Sequence, residues 1–308
     1  MRTIRLGTRG SALARWQAAH VVELLRQVWA DLQVEVIIMT TKGDITLDTP
    51  LPQLGGKGVF TAELEAALRS GELDCAVHSL KDLPTTQPAG LTIGAVPLRG
   101  SVQDVLVSRE GYTLDTLPQG AVIGTGSPRR AAQVLYHRPD LRVQHIRGNV
   151  DTRIGKALAA DGPYTAIILA RAGLERLSKL DAASQTLPLE HMLPAPGQGA
   201  LAVQCRSEEA SLRWFTAINH PETQASVTAE RAFLAGLGGG CTLPAAAYAH
   251  VEDGKLSVQG RLCSADGRQR IDGTLSTDDL SVAAAAEIGH TLARQALAQG
   301  GAEWIANQ

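Results

Sequence analysis

The chain has 308 residues, 44% of them hydrophobic, 19% charged and 4% aromatic, with a formal net charge of -2. That length supports two or three domains, each with its own core, and the near-neutral balance argues against a surface built as a whole to attract polyanions. No apolar run approaches the roughly 18 residues needed to span a bilayer. The four cysteines, Cys75, Cys205, Cys241 and Cys263, have no CxxC spacing, and Met1 to Gly7 lacks an apolar signal region, so a reducing cytoplasm is the expected setting.

In chain order, Ile4-Arg5-Leu6 predicts a first strand, and Ser11 is a good N-cap for an amphipathic helix from about Ala12 to Trp29. Val34 to Met39 predicts a second strand. The polar, glycine-containing stretch from Thr40 to Gly58 is longer than an ordinary connection and reads as a functional loop. A helix follows from Phe60 to about Ser70. Asp74 to His78 predicts a buried strand ending at Ser79-Leu80-Lys81-Asp82-Leu83-Pro84, and Leu91 to Val96 another strand.

A second block opens with the strand Ala121 to Gly124 and a helix capped by Ser127 with Pro128 at its first position. Arg142 to Ile146 predicts a strand, Asn149 caps a helix to about Ala160, and Thr165 to Ala170 is a buried strand leading into a helix through Leu177. Ala200 to Cys205 predicts one more strand and Glu208 to Ile218 a helix. The remainder predicts a helix to Leu234, a glycine loop, three strands near 246–251, 256–262 and 269–275, and an Ala-rich helix near 278–298.

Alternating strands and helices predict parallel sheets with helices on both faces. Two linker-like crossings, near Pro97 to Ser101 and near Pro194 to Gly199, predict one α/β lobe inserted in another, with a hinged cleft for a ligand. The expected domains are 1–98 with 194–217, the inserted 99–193, and a small α+β domain over 218–308.

Of the 29 basic residues only six are lysine, and arginine is the residue suited to bidentate recognition of carboxylate or phosphate. Cations recur where strands end, the place at which open α/β sheets bind ligands: Arg9 with Ser11, Lys81, then Thr125 and Ser127 with Arg129 and Arg130, Arg147 with Arg153, and Arg171 with Arg176. Arg129 and Arg130 in a first helical turn oppose the helix dipole, and a bound anion would relieve that conflict. Few aromatics and no recognised motif argue against nucleic acid; small polycarboxylates or phosphates fit better.

Asp82 is a carboxylate among these cations. It reads either as a local salt-bridge or turn residue or as a fixed charge that stabilises a developing cation. The histidines lack metal-ligand spacing, so no metal is expected, and His78 reads as a packed structural residue. No nucleophile elbow, phosphate loop or dinucleotide fingerprint is present. In Gly238-Gly239-Gly240-Cys241-Thr242-Leu243-Pro244, three glycines permit close approach to the backbone by a phosphate, a partner chain or a group attached to the sulfur.

Seven segments in order resemble the porphobilinogen deaminase (hydroxymethylbilane synthase) family over nearly the full length. They are Gly7-Thr8-Arg9-Gly10-Ser11-Ala12-Leu13-Ala14, Gly55-Gly56-Lys57-Gly58-Val59-Phe60, Ala76 to Pro84, Ile123 to Ser127 before Arg129-Arg130, Arg147-Gly148-Asn149-Val150-Asp151-Thr152-Arg153, Pro196-Gly197-Gln198-Gly199-Ala200, and the glycine-cysteine loop.

The resemblance implies two hinged, periplasmic-binding-protein-like lobes with a third domain, and a dipyrromethane cofactor joined through a thioether to Cys241. It implies the condensation of four porphobilinogen molecules, each losing ammonia, with release of linear hydroxymethylbilane for tetrapyrrole biosynthesis, by a monomer without nucleic-acid or membrane partners. By resemblance, Asp82, with Lys81 and Arg9, carries the catalysis, the carboxylate stabilising cations that develop on the pyrrole nitrogen. Asp82, Ser11, Lys81, Thr125, Ser127, Arg129, Arg130, Arg147 and Arg153 hold the cofactor, and Arg9, Ser11, Arg147, Arg153, Arg176, Lys57 and Phe60 the substrate. Gln53 stands where many members carry lysine, and Pro128 where leucine is usual. The rival reading is a two-lobed, non-catalytic binding protein for a polycarboxylate.

Overall fold

The computed structural model describes residues 3–41, 43, 61–239 and 243–306. By internal contacts the chain divides into two compact units, 1–100 with 199–224, and 101–198 with 225–308.

In the first unit the strands are β1 (Thr3–Arg9), β2 (Gln33–Met39), β3 (Cys75–Ser79), β4 (Leu91–Ala95) and β10 (Leu201–Arg206), in the sheet order β2-β1-β3-β10-β4. Side chains of successive strand residues point to opposite faces, and β3 shows the consequence. Cys75 and Val77 join a core with Ile4, Leu6, Val203 and the Ala18, Val21 and Leu25 stripe of α1 (Ala12–Val28). Ala76 faces the other way, toward Leu64 and Leu68 of α2 (Ala62–Ser70). Helices thus cover both faces.

The second unit holds two sheets. The first contains β5 (Asp104–Ser108), β6 (Val122–Gly124), β7 (Arg142–Gln144), β8 (Ala166–Ala170) and β9 (Gln185–Thr186), in the order β7-β6-β8-β5-β9. Its helices include α3 (Pro128–His137), α4 (Val150–Leu158) and α5 (Arg171–Arg176). Leu106, Ile123, Val134 and Ile168 lie in its core.

The expectation of parallel sheets needs correction. In each sheet the strand that follows a crossing runs against its neighbours: β10 is antiparallel to β3 and β4, and β5 to β8 and β9. Both sheets therefore share one topology, with the reversed strand coming last in chain order in the first unit and first in the second. Strands β5 and β9 were not expected from the sequence; β5 is a short apolar run, Val105-Leu106-Val107, behind a polar crossing.

The other sheet of the second unit is an antiparallel meander of β11 (Ala245–Glu252), β12 (Lys255–Cys263) and β13 (Arg270–Thr277). Ala247, Ala249, Leu256, Val258 and Leu262 pack with Phe233 of α7 (Pro221–Gly236) and Leu292 of α8 (Val282–Ala296), whereas α6 (Glu209–Phe215) belongs to the first unit, where Phe215 joins the core of Ile4 and Leu6. Arg261, 2% exposed, donates to Gln133 Oε1 at 2.9 Å and to Glu190 O at 3.1 Å, tying the meander to α3.

The approach of α7 and α8 is set by a residue without a side chain. A Cβ on Gly289 would stand 2.2 Å from Ala229 O and 2.8 Å from Ala232 Cβ. Gly289→Val is expected to destabilise the protein by about 3 kcal/mol or more, since overpacking of this kind forces the backbone to move. A urea titration checks it; an unchanged midpoint would contradict the packing described.

Candidate active site

In the first unit, the carboxyl ends of the parallel strands β1 and β3 meet. The β1 strand ends at Arg9, and the Ser11 hydroxyl caps α1 by accepting from Ala14 N at 3.3 Å. Strand β3 ends at Ser79 and turns through a single 3-10 turn, Leu80–Asp82. Gln17 on α1 donates to Ser79 Oγ at 2.8 Å and stitches the two strand ends together. Arg9, Ser11, Gln17, Thr61, His78 and Asp82 line one cavity. The Asp82 side chain is exposed and Lys81 half-buried, so a carboxylate and cations share a solvent-reachable strand end. Lys57 and Phe60 lie outside the described residues.

His78 is buried, and its Nε2–H donates to Gln204 Oε1 at 3.1 Å, while Gln204 Nε2 donates to Gln87 at 3.0 Å. Burial pushes the imidazole down to about 4, opposed by the Gln204 hydrogen bond and assisted by the Arg9 charge. It is neutral at pH 7 and packed at the strand end. Because unfolded histidine titrates near 6.5, the unfolded chain takes a proton that the folded one refuses between those values. The stability that neutral His78 contributes is complete above about pH 6.5 and is lost as pH falls toward 4, by up to about 3 kcal/mol. Denaturant unfolding at pH 7 and pH 4.5 should show this loss in the natural protein and a smaller one in His78→Gln; equal losses would contradict it.

In the second unit, β6 leads to Thr125, whose Oγ1 accepts from Ser127 N at 3.2 Å, and Ser127 Oγ caps α3 from Arg130 N at 3.5 Å. Pro128 occupies the first turn without distortion, as expected. Asn149 Oδ1 caps α4 through Thr152 N at 2.8 Å. Arg147 and Arg153, flanking that cap, are half-buried. Arg171 pairs with Glu175 at 2.7 Å. Burial lowers the Arg176 guanidinium to about 10, partly offset by Glu175.

The arginine pair of α3 departs most from the expectation. Arg129 and Arg130 are 4% and 7% exposed, and an anion does relieve their conflict with the helix dipole, but it belongs to the chain. Asp104, fully buried, accepts from Arg129 Nη2 at 2.9 Å and from Arg130 Nη2 at 2.7 Å. The remaining Nη1 groups donate to Leu193 O at 2.7 Å and Ile168 O at 3.0 Å. Burial lowers the Arg129 guanidinium, and Asp104 opposes that shift. Both Nε–H groups are buried and find no partner among the described residues.

Sequence reasoning missed Asp104 because it missed the reversal of β5. Asp104 pairs in register with Ala170, the last residue of β8, so the antiparallel strand delivers a carboxylate to the end where parallel strands supply cations.

The glycine run has a structural part of its own. Gly238 and Gly239 take φ of +92° and +45°, and their N–H groups donate to Ala235 O and Leu234 O at 3.0 and 2.9 Å, closing the last turn of α7. Cys241 lies outside the described residues. The other three cysteines are buried free thiols, and burial pushes Cys205 and Cys263 up to about 11 and Cys75 well above its ordinary value. No group able to hold a metal ion occurs among the described residues, and no helix among them is long and apolar enough to cross a membrane.

Residues 4–213 match the family model described as porphobilinogen deaminase, dipyromethane cofactor binding domain, and residues 224–298 match that of the porphobilinogen deaminase C-terminal domain. The chain belongs to the porphobilinogen deaminase family. It is 48% identical over 301 residues to the porphobilinogen deaminase of Moorella thermoacetica, covering 97% of this chain and 95% of the relative. It is also 48% identical over 303 residues to that of Syntrophomonas wolfei, covering 98% and 97%. Among solved structures, the methionine binding protein MetQ matches with a TM-score of 0.43 at 12% identity, over 75% of this chain and 93% of that one.

As a porphobilinogen deaminase, the chain is an enzyme of the transferase class, and its cofactor is dipyrromethane. The donor set suits that group. A dipyrromethane presents acetate and propionate carboxylates, and the strand ends of each unit carry guanidiniums or hydroxyls, with an ammonium in the first, the groups that pair with such acids.

Proposed function

We propose that this protein condenses four porphobilinogens into linear hydroxymethylbilane, with Asp82 as the catalytic carboxylate and Cys241 as the anchor of the dipyrromethane. The bound dipyrromethane supplies a nucleophilic pyrrole carbon from which the chain is extended. The observation that carries the reading is the single cavity in which Asp82 stands beside Arg9 and Ser11 at the ends of β1 and β3. There the carboxylate holds a pyrrole N–H and stabilises the positive charge that develops as ammonia leaves, while Arg9 and Lys81 neutralise the acids of the same ring.

Ser11, Lys81, Thr125, Ser127, Arg147 and Arg153 hold the cofactor acids, and Arg9, Ser11, Arg147, Arg153 and Arg176, with Lys57 and Phe60, those of the substrate. Each charge-assisted hydrogen bond contributes about 1.5–3 kcal/mol. Arg129 and Arg130 belong to the cofactor set through their Nε–H groups, the donors that Asp104 and the carbonyls leave unused. The raised thiols of Cys75, Cys205 and Cys263 make them poor nucleophiles, which favours Cys241 as the anchor. We assign three functional domains, 1–98 with 194–217, 99–193 and 218–308, in a cytoplasmic monomer. Incubation with porphobilinogen tests the reading: ammonia release with formation of a linear tetrapyrrole is expected, and stoichiometric binding without ammonia release would restore the rival of a polycarboxylate-binding protein.

A further inference from the structure

The second crossing, Pro194 to Gln198, is held by buried carboxylates from two sides. On one side stands Glu230 of α7, fully buried; its Oε2 accepts from Gly197 N at 2.7 Å and its Oε1 from Ala249 N of β11 at 2.8 Å. The next residue, Gln198, is also fully buried and reaches the other way. Its Nε2 donates to Val102 O at 2.7 Å and to Asp104 Oδ1 at 2.9 Å. Asp104 is the carboxylate that clamps Arg129 and Arg130. One short segment therefore connects α7, the helix that precedes Cys241 in the sequence, with both the residues at the start of β5 and the arginine pair. Charges this deeply buried are costly unless every partner stays in place, so each link constrains the next.

We propose that Glu230, Gln198 and Asp104 act as one positioning relay that indexes the Arg129–Arg130 pair to the helix leading into Cys241. None of the three touches the reacting atoms. Their effect is to fix, relative to one another, the cofactor's anchoring domain and two of the arginines that receive its acids. The functional consequence rests on the reading proposed above; the mechanical coupling does not.

Gln198→Met removes the middle link and leaves both carboxylates with their other partners. Amide hydrogen exchange in this variant is expected to rise by roughly tenfold or more on both sides, in 129–137 and in 245–251. Covalent cofactor uptake by apoprotein supplied with porphobilinogen is expected to slow while the final mass is unchanged. Glu230→Gln, which weakens the hold on Gly197 and Ala249, should give the same two-sided pattern and carries the test if Gln198→Met does not fold. Uptake by the double variant should fall within about threefold of the slower single variant, where independent roles would multiply. Exchange that rises only in 101–104 and 195–198 in either variant overturns the relay. An unmodified natural chain that neither gains cofactor nor turns over overturns the functional reading instead, and the exchange experiment still decides the relay.

Discussion

Asp82→Asn is expected to keep the fold and the attached cofactor and to lose turnover by roughly 100- to 1,000-fold, the range seen when one preorganised electrostatic contact to a transition state is removed. The side chain is exposed at the end of a 3-10 turn, so the change buries nothing and should leave the unfolding midpoint where it was. Shape and hydrogen-bonding reach are nearly unchanged; only the charge is gone. The loss should appear in kcat with little change in KM, because in the proposed role Asp82 stabilises a cation that exists only on the way to the transition state. Ammonia release under saturating porphobilinogen measures it. Turnover within a few-fold of the natural protein would remove Asp82 from the chemistry.

Cys241→Ser is expected to abolish turnover altogether. A serine hydroxyl has neither the nucleophilicity nor the acidity of a thiol, so no thioether tether forms. The arginine-lined strand ends would remain, and the variant should still fold, with a lowered midpoint because the native state loses its bound cofactor, and release no ammonia. Replacing Cys75, Cys205 or Cys263 with alanine should instead cost stability, because those thiols are packed in cores, and leave the cofactor in place. Catalytic activity in Cys241→Ser would contradict the tether.

Much of this site is legible in the sequence, because strand ends and helix caps announce themselves locally. Ser11, Ser127 and Asn149 cap the helices they were expected to cap, and the residues beside them follow. Arg9 and Asp82 reach one cavity because parallel strands β1 and β3 end together, which alternation of strands and helices already suggested. What stayed hidden depends on pairing between distant segments. Strand direction is set by register across residues that lie far apart in the chain, so the reversal of β5 and β10 left no local mark. Asp104 was invisible as the partner of Arg129 and Arg130 for the same reason. The contacts of Glu230 and Gln198 stayed hidden because nothing in a helix or a Pro-Gly linker marks a side chain that will bond to another element.

The arginine pair also shows how a correct physical argument can leave out one partner. The conflict with the dipole of α3 is real and an anion resolves it, yet the anion is supplied in cis. Part of the positive charge of Arg129 and Arg130 is thereby met within the chain, while Arg147, Arg153 and Arg9 are half-buried at the ends of their strands and helices.

The most direct measurement is the intact mass of the purified, unreduced-in-activity chain, followed by peptide mapping of the modified residue. The account predicts a mass above that of the bare polypeptide by a dipyrromethane, located on the peptide containing Cys241 and absent from Cys241→Ser. A fully active chain whose mass equals the bare polypeptide, or whose added mass maps to any other residue, would contradict it.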